Sequence, residues 1–174
     1  MKNVELRLIS ELMKHGRKSD RGLAKAIGVS QPTVTRVRSR LEKEGIIKEY
    51  TMIPDFRKLG FEIACINFVR FTKELTEEEF KELRRYSRDI EKKNPGAVLV
   101  AMNGMGLGFN RVFVSFYRDY SSYVKDINII KGIPNVDVTH VESFIISLDD
   151  KFHFQPMTFS VIANYLLKTK EAKR

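Results

Sequence analysis

Arg36, Arg38, Arg40 and Lys43 crowd one short stretch, interleaved with the small hydroxyl residues Thr33, Thr35 and Ser39. A guanidinium can donate two parallel hydrogen bonds to guanine O6 and N7, and a threonine can meet a thymine methyl or a phosphate. This set of side chains suits reading a duplex polyanion. No paired carboxylates, nucleophile with a base, or cluster of metal-ligand spacing accompanies it, so no catalytic residue, metal or cofactor is expected.

Such side chains must project from a rigid helix, and the flanking residues supply one. Ser19 can cap a helix whose first turn holds Asp20 and whose apolar side is Leu23, Ala24 and Ile27. Gly28 can end that helix in the left-handed conformation. Val29 fills the corner, Ser30 can cap a second helix, and Pro32 falls in its first turn, where a missing N–H costs nothing. Val34, Val37 and Leu41 recur at helical spacing and must be the buried stripe. Ser30, Gln31, Thr33, Thr35, Arg36, Ser39 and Arg40 are then the expected DNA contacts, in helix-turn-helix geometry. Residues 3 to 14, with Val4, Leu8 and Leu12 in line, predict a third helix to close the small core. After Gly45, the alternation in IIKEYTMIP predicts a strand serving as a wing, with Lys48 as a phosphate contact.

Charge agrees with that placement. Residues 1 to 60 carry 14 Lys and Arg against 7 Asp and Glu, so most of the net +9 lies in the first third of the 174 residues. Neutralising phosphates there would release condensed counterions. Cys65 has no partner and sits in an apolar run, so it reads as a small buried residue. No secretion signal opens the chain and no apolar run is long enough to span a bilayer, so a cytoplasmic protein without a membrane partner is expected.

From Phe61 the pattern changes. Residues 62 to 72 alternate as a strand, and Thr76 with Glu79 forms a capping box that opens a helix bearing Phe80, Leu83, Ser87 and Ile90. Asn94-Pro95-Gly96 turns the chain, and residues 97 to 103 and 111 to 117 read as strands joined by a glycine-rich loop. Asp119 or Ser121 opens a helix with Tyr123, Val124, Ile127 and Ile130, and residues 136 to 148 form a last strand. This β-α-β-β-α-β order is ferredoxin-like, and the whole chain is of the α+β class. Both parities of the strands are apolar, so a second subunit is expected on the face the helices leave bare. Four segments follow: a winged helix-turn-helix domain at 1–54, a hinge at 55–61, a ferredoxin-like domain at 62–148 and an extension at 149–174. The extension predicts one packed helix from about Met157 to Lys168, its apolar residues being Phe159, Val161, Ile162, Tyr165 and Leu166.

The stretch DRGLAKAIGVSQPTVTRVRSRLEKEGII, the hinge IPDFRKLGF and the β-α-β-β-α-β region together resemble the Lrp/AsnC, or feast/famine, transcription regulators over residues 1 to about 148. The resemblance implies a sequence-specific regulator that binds double-stranded DNA and assembles as a homodimer or higher homo-oligomer. It also implies a small effector near the turn between the second and third strands, here Asn103, Gly104, Met105, Gly106, Leu107 and Gly108. That turn carries no acidic residue, so an apolar or anionic effector is expected over an amino acid held by its ammonium group. Sirohaem decarboxylases resemble the same architecture and are the alternative. They would need histidine and arginine around a tetrapyrrole carboxylate, and the histidines beyond His15 are His140 and His153.

Overall fold

A computed structural model describes residues 2–93, 97–152 and 157–171. The chain forms two compact units: Met1–Pro54 with the C-terminal helix, and Asp55–Phe152. Asn94-Pro95-Gly96 and His153 lie outside the described residues.

The first unit holds α1 (Asn3–Lys14), α2 (Asp20–Ile27) and α3 (Gln31–Lys43). The Ser19 side chain accepts from the Gly22 N–H, and the Ser30 side chain accepts from the Thr33 N–H. Gly28 closes α2 at φ 69°, ψ 43°, the left-handed conformation its type favours. Leu8, Leu12, Leu23, Ala24, Ile27, Val34 and Leu41 form the core, with Val29, Val37 and Ile47 against it.

Residues 46 to 54 are not the expected strand: no strand lies between α3 and the second unit. A strand needs a neighbour for its ladder, and this unit has none. Here the Ile46 and Ile47 N–H groups both donate to the Leu41 carbonyl, at 2.9 and 3.1 Å. Ile47 then packs inward, and Tyr50 reaches back to α3. The segment occupies the wing position as extended, unpaired chain.

The C-terminal helix α6 (Ser160–Glu171) packs on α1. The sequence leaves open packing on its own or a neighbouring subunit, and within the chain the helix meets α1. Phe159, Val161, Ile162 and Tyr165 stay substantially exposed, and the fully buried residue is Ala163. Small side chains let the backbones approach, and the buried Ser10 hydroxyl donates to the Ala163 carbonyl at 3.0 Å.

The second unit is a four-stranded antiparallel sheet in the order β2-β3-β1-β4, from β1 (Ile63–Phe71), β2 (Ala97–Gly106), β3 (Phe109–Tyr117) and β4 (Val136–Ser147). Helices α4 (Glu77–Lys93) and α5 (Tyr120–Lys131) complete the β-α-β-β-α-β order. The Thr76–Glu79 capping box is present, as is the Asp119 cap of α5, which accepts from the Ser122 N–H at 2.6 Å. Val69, Phe71, Phe113, Val136 and Val141 face Ile127 and Ile130 of α5 and Leu83 of α4. The opposite parity puts Ile66, Phe68, Val112, Val114, Phe144 and Ile146 together on the other face by register. Phe144 is 63% exposed there. Phe56, from the connector, covers one end of that face by stacking on Phe116 at 4.1 Å between centroids.

The glycine-rich stretch is tighter than the expected loop. Asn103 to Gly106 belong to β2, and only Leu107 and Gly108 turn the chain, at φ 51° and 82°. Two residues of positive φ match the twist of a hairpin, which lets the ladder run almost to the tip.

Candidate nucleic-acid interface

With Val34 and Leu41 buried and Val37 half-buried, the 100° step of a helix turns Gln31, Pro32, Thr35, Arg36, Ser39 and Lys43 outward. Gln31, Pro32, Thr35, Arg36 and Ser39 line one shallow depression. The three arginines of this run, however, have different surroundings.

Arg38 is half-buried and saturated. Its Nη1 donates to Asp20 at 2.8 Å, and its Nε donates to Glu42 at 3.2 Å and to the Tyr50 hydroxyl at 2.8 Å. Its guanidinium also lies over the Tyr50 ring, 4.6 Å from the centroid. The Tyr50 hydroxyl in turn donates to Glu42 at 2.6 Å. One side chain thus ties α2, α3 and the wing segment together.

Arg40 flanks the outward face and pairs with Glu5 of α1 and, at 3.6 Å, with Glu44. Glu5 is buried, and its carboxyl is held below the usual range by the Lys2 backbone N–H and by Arg40. Arg36 has no hydrogen bond or ion pair among the described residues and is exposed, as is Lys43 one face-repeat further on. A cation already bonded to a carboxylate must exchange partners to reach a phosphate or base; a free one need not.

The remaining candidates divide as well. The Ser30 and Thr33 hydroxyls lie 2.8 Å apart at the start of α3, engaged in the cap. Thr35 is exposed, but its hydroxyl is 2.7 Å from the Asp20 carboxylate and 3.2 Å from the Gln31 carbonyl. The Asp20 carboxyl lies below its usual range because Thr35 and then Arg38 donate to it. Gln31 and Ser39 are exposed, and Lys48 is exposed on the wing segment. Sequence reasoning alone passes over Asp20 as a partner and leaves Lys43 out of the contact set. The helical angle finds Lys43, but no spacing rule reveals which arginine is tied down.

In the second unit Asn103, Gly104, Met105, Gly106, Leu107 and Gly108 form the tip of the β2–β3 hairpin. Met105 is 99% exposed and Leu107 86% exposed. His140 is held by Asp137 at 2.9 Å, and Cys65 is fully buried. Among the described residues there is no group of three or more metal-ligating side chains, and no helix is long and apolar enough to cross a membrane.

Residues 1–48 match the winged helix-turn-helix DNA-binding family. The HTH-type transcriptional regulator LrpC of Bacillus subtilis is 44% identical over 63 residues, 36% of this chain and 44% of that protein. The chain spans about half the length of the curated relatives it matches first. The LrpC structure superposes with a TM-score of 0.65 at 23% identity, over 89% of this chain and 99% of LrpC. A Neisseria meningitidis transcriptional regulator solved as its L-Met complex gives 0.73 at 17% identity, over 96% of this chain and 99% of that one. The first unit is thus similar in sequence to HTH-type transcriptional regulators, and the chain as a whole has the fold of the solved LrpC and AsnC-family structures.

Proposed function

We propose that this protein is a sequence-specific DNA-binding transcriptional regulator acting as a homodimer or higher homo-oligomer, with α3 in the major groove. The observation that carries the reading is the division of labour on α3. Arg38 and Arg40 are bonded within the unit, so the helix is held in place, and Arg36 is left exposed beside Gln31, Thr35 and Ser39. Lys43 and Lys48 supply phosphate contacts on either side. The apolar sheet face takes the second subunit, which brings two reading helices to one site. A small effector binds at the hairpin tip, residues 103 to 108; that a regulator of this fold from Neisseria meningitidis was solved as its L-Met complex supports a small-molecule ligand without placing it. The tip offers apolar side chains and no carboxylate, which favours an apolar or anionic ligand. Nothing favours a tetrapyrrole decarboxylase: among the described residues His140 is engaged by Asp137.

Selection of bound sequences from a random duplex pool, followed by salt titration of the selected site, tests this. Arg36→Ala should cost about 1 to 3 kcal/mol and relax preference at one position. Arg40→Ala should cost less, because that guanidinium leaves Glu5 to reach DNA. Unchanged affinity in Arg36→Ala overturns the reading. Repeating the titrations with L-Met and with a short fatty acid should shift affinity only with the latter.

A further inference from the structure

Thr35 stands on the outward face of α3, and the usual assumption is that its hydroxyl can donate to a phosphate. The local geometry removes that option. A threonine hydroxyl has one proton, and both neighbours within reach are pure acceptors: the Asp20 carboxylate at 2.7 Å and the Gln31 carbonyl at 3.2 Å. The closer and charged one takes it. What Thr35 still presents outward is a pair of acceptor lone pairs and a methyl group.

Major-groove edges differ in just this respect. Adenine N6 and cytosine N4 donate, whereas guanine O6 and N7, thymine O4 and phosphate oxygens accept. We propose that Asp20, without touching DNA, is a specificity-determining residue: by holding the Thr35 proton it makes Thr35 an acceptor that selects adenine or cytosine at one position. This rests on the reading of α3 as the helix in the groove. Ionisation of Asp20 at neutral pH supports it, since Thr35 and Arg38 together hold that carboxyl below its usual range.

Arg38 makes the proposal testable by fixing the polarity of a replacement. In Asp20→Asn the Arg38 Nη1, which can only donate, engages the amide oxygen and turns the amide NH2 toward Thr35. Thr35 must then accept from the amide, which occupies one of the lone pairs that faced the groove, and give its own proton to the Gln31 carbonyl. The full-length wild type, Asp20→Asn and Thr35→Val are each put through sequence selection from a random duplex pool. Wild type should enrich adenine or cytosine at one position. Asp20→Asn should weaken that preference by roughly threefold to tenfold without reversing it. Thr35→Val, which keeps the shape at an exposed site, should flatten that position alone. Asp20→Asn that weakens all sequences equally, or Thr35→Val that keeps the wild-type preference, overturns the proposal. Arg36→Ala run in parallel separates the two readings. Binding that depends on Arg36 while Asp20→Asn leaves the preference unaltered rejects only the role of Asp20. Binding indifferent to Arg36 rejects the groove assignment and this inference with it.

Discussion

In the winged-helix unit the polar links run across the surface: Glu5 to Arg40, Glu11 to Lys18, Asp20 to Arg38 and Thr35. In the sheet unit the main polar links lie inside. The fully buried Asn67 donates to Ser115 and to Tyr117 and accepts from Ser143, while the Tyr117 hydroxyl donates to Asp126 at 2.6 Å. The first arrangement fixes a helix and leaves its outer face polar and free, as reading DNA requires. The second fixes the register of the central strands from within the helix-covered face, so the opposite face of the sheet can be apolar. Only one of those faces has helices of its own.

The largest break in this contrast should come at that bare face. Phe144→Glu places a charge where a second subunit would bury it, and an uncompensated buried charge costs about 3 to 5 kcal/mol. Light scattering should show the wild type as at least a dimer and the variant as a monomer with its fold intact. A wild-type monomer at micromolar concentration would contradict association through the sheet. The next effect belongs to the other unit. Leu41 is fully buried and its carbonyl anchors the wing segment. Leu41→Ala should cost about 2 to 5 kcal/mol. Hydrogen exchange resolved by peptide should show protection falling in residues 3 to 50 and unchanged in the strands; equal loss in both would mean the units unfold as one.

Both predictions rest on features that differ in how far sequence reveals them. The caps at Ser19, Ser30, Thr76 and Asp119, the Val34–Val37–Leu41 stripe and the six elements of the sheet unit follow from local rules, because each depends on neighbours within a few residues. The wing segment reads as a strand it does not form, because alternation describes a strand's two faces but not whether a partner strand exists. The residues through which α6 meets α1 are not legible in its large apolar side chains, because close approach here depends on Ala163 and Ser10. At the site, residue type marked every arginine of α3 alike. Which one is free depends on Glu5 and Asp20, 35 and 18 residues away from the side chains they bind.

Surface links and buried groups give opposite responses to pH, the smallest effect expected. Glu11 and Asp20 are held below their usual range, Glu11 by Lys18 and Asp20 by Thr35 and Arg38. Their contribution is present above the ordinary carboxylate pKa of about 4. It is lost as pH falls through the lowered folded-state values. Each is a near-surface pair, so the loss is about 0.2 to 1 kcal/mol apiece. In the sheet unit burial pushes the Cys65 thiol and the Tyr117 phenol upward, with Asp126 adding to the latter. Those contributions are complete at low pH and decline as pH rises past the ordinary values, near 8.5 for a thiol and 10 for a phenol. Up to pH 9 that decline stays under about 1 kcal/mol. Protection factors corrected for intrinsic exchange should therefore fall first in α1 to α3 and at the starts of α4 and α5, where Glu79 and Asp119 are also held low, on acidification, and first in β1 and β3, with the segment around Tyr50, on alkalinisation. Salt separates the causes: raising ionic strength should weaken the acid-sensitive links, which are partly exposed, and leave the alkaline response of the buried groups in place. If the central strands lose protection on acidification together with the helices, then the buried network is not independent of the surface links.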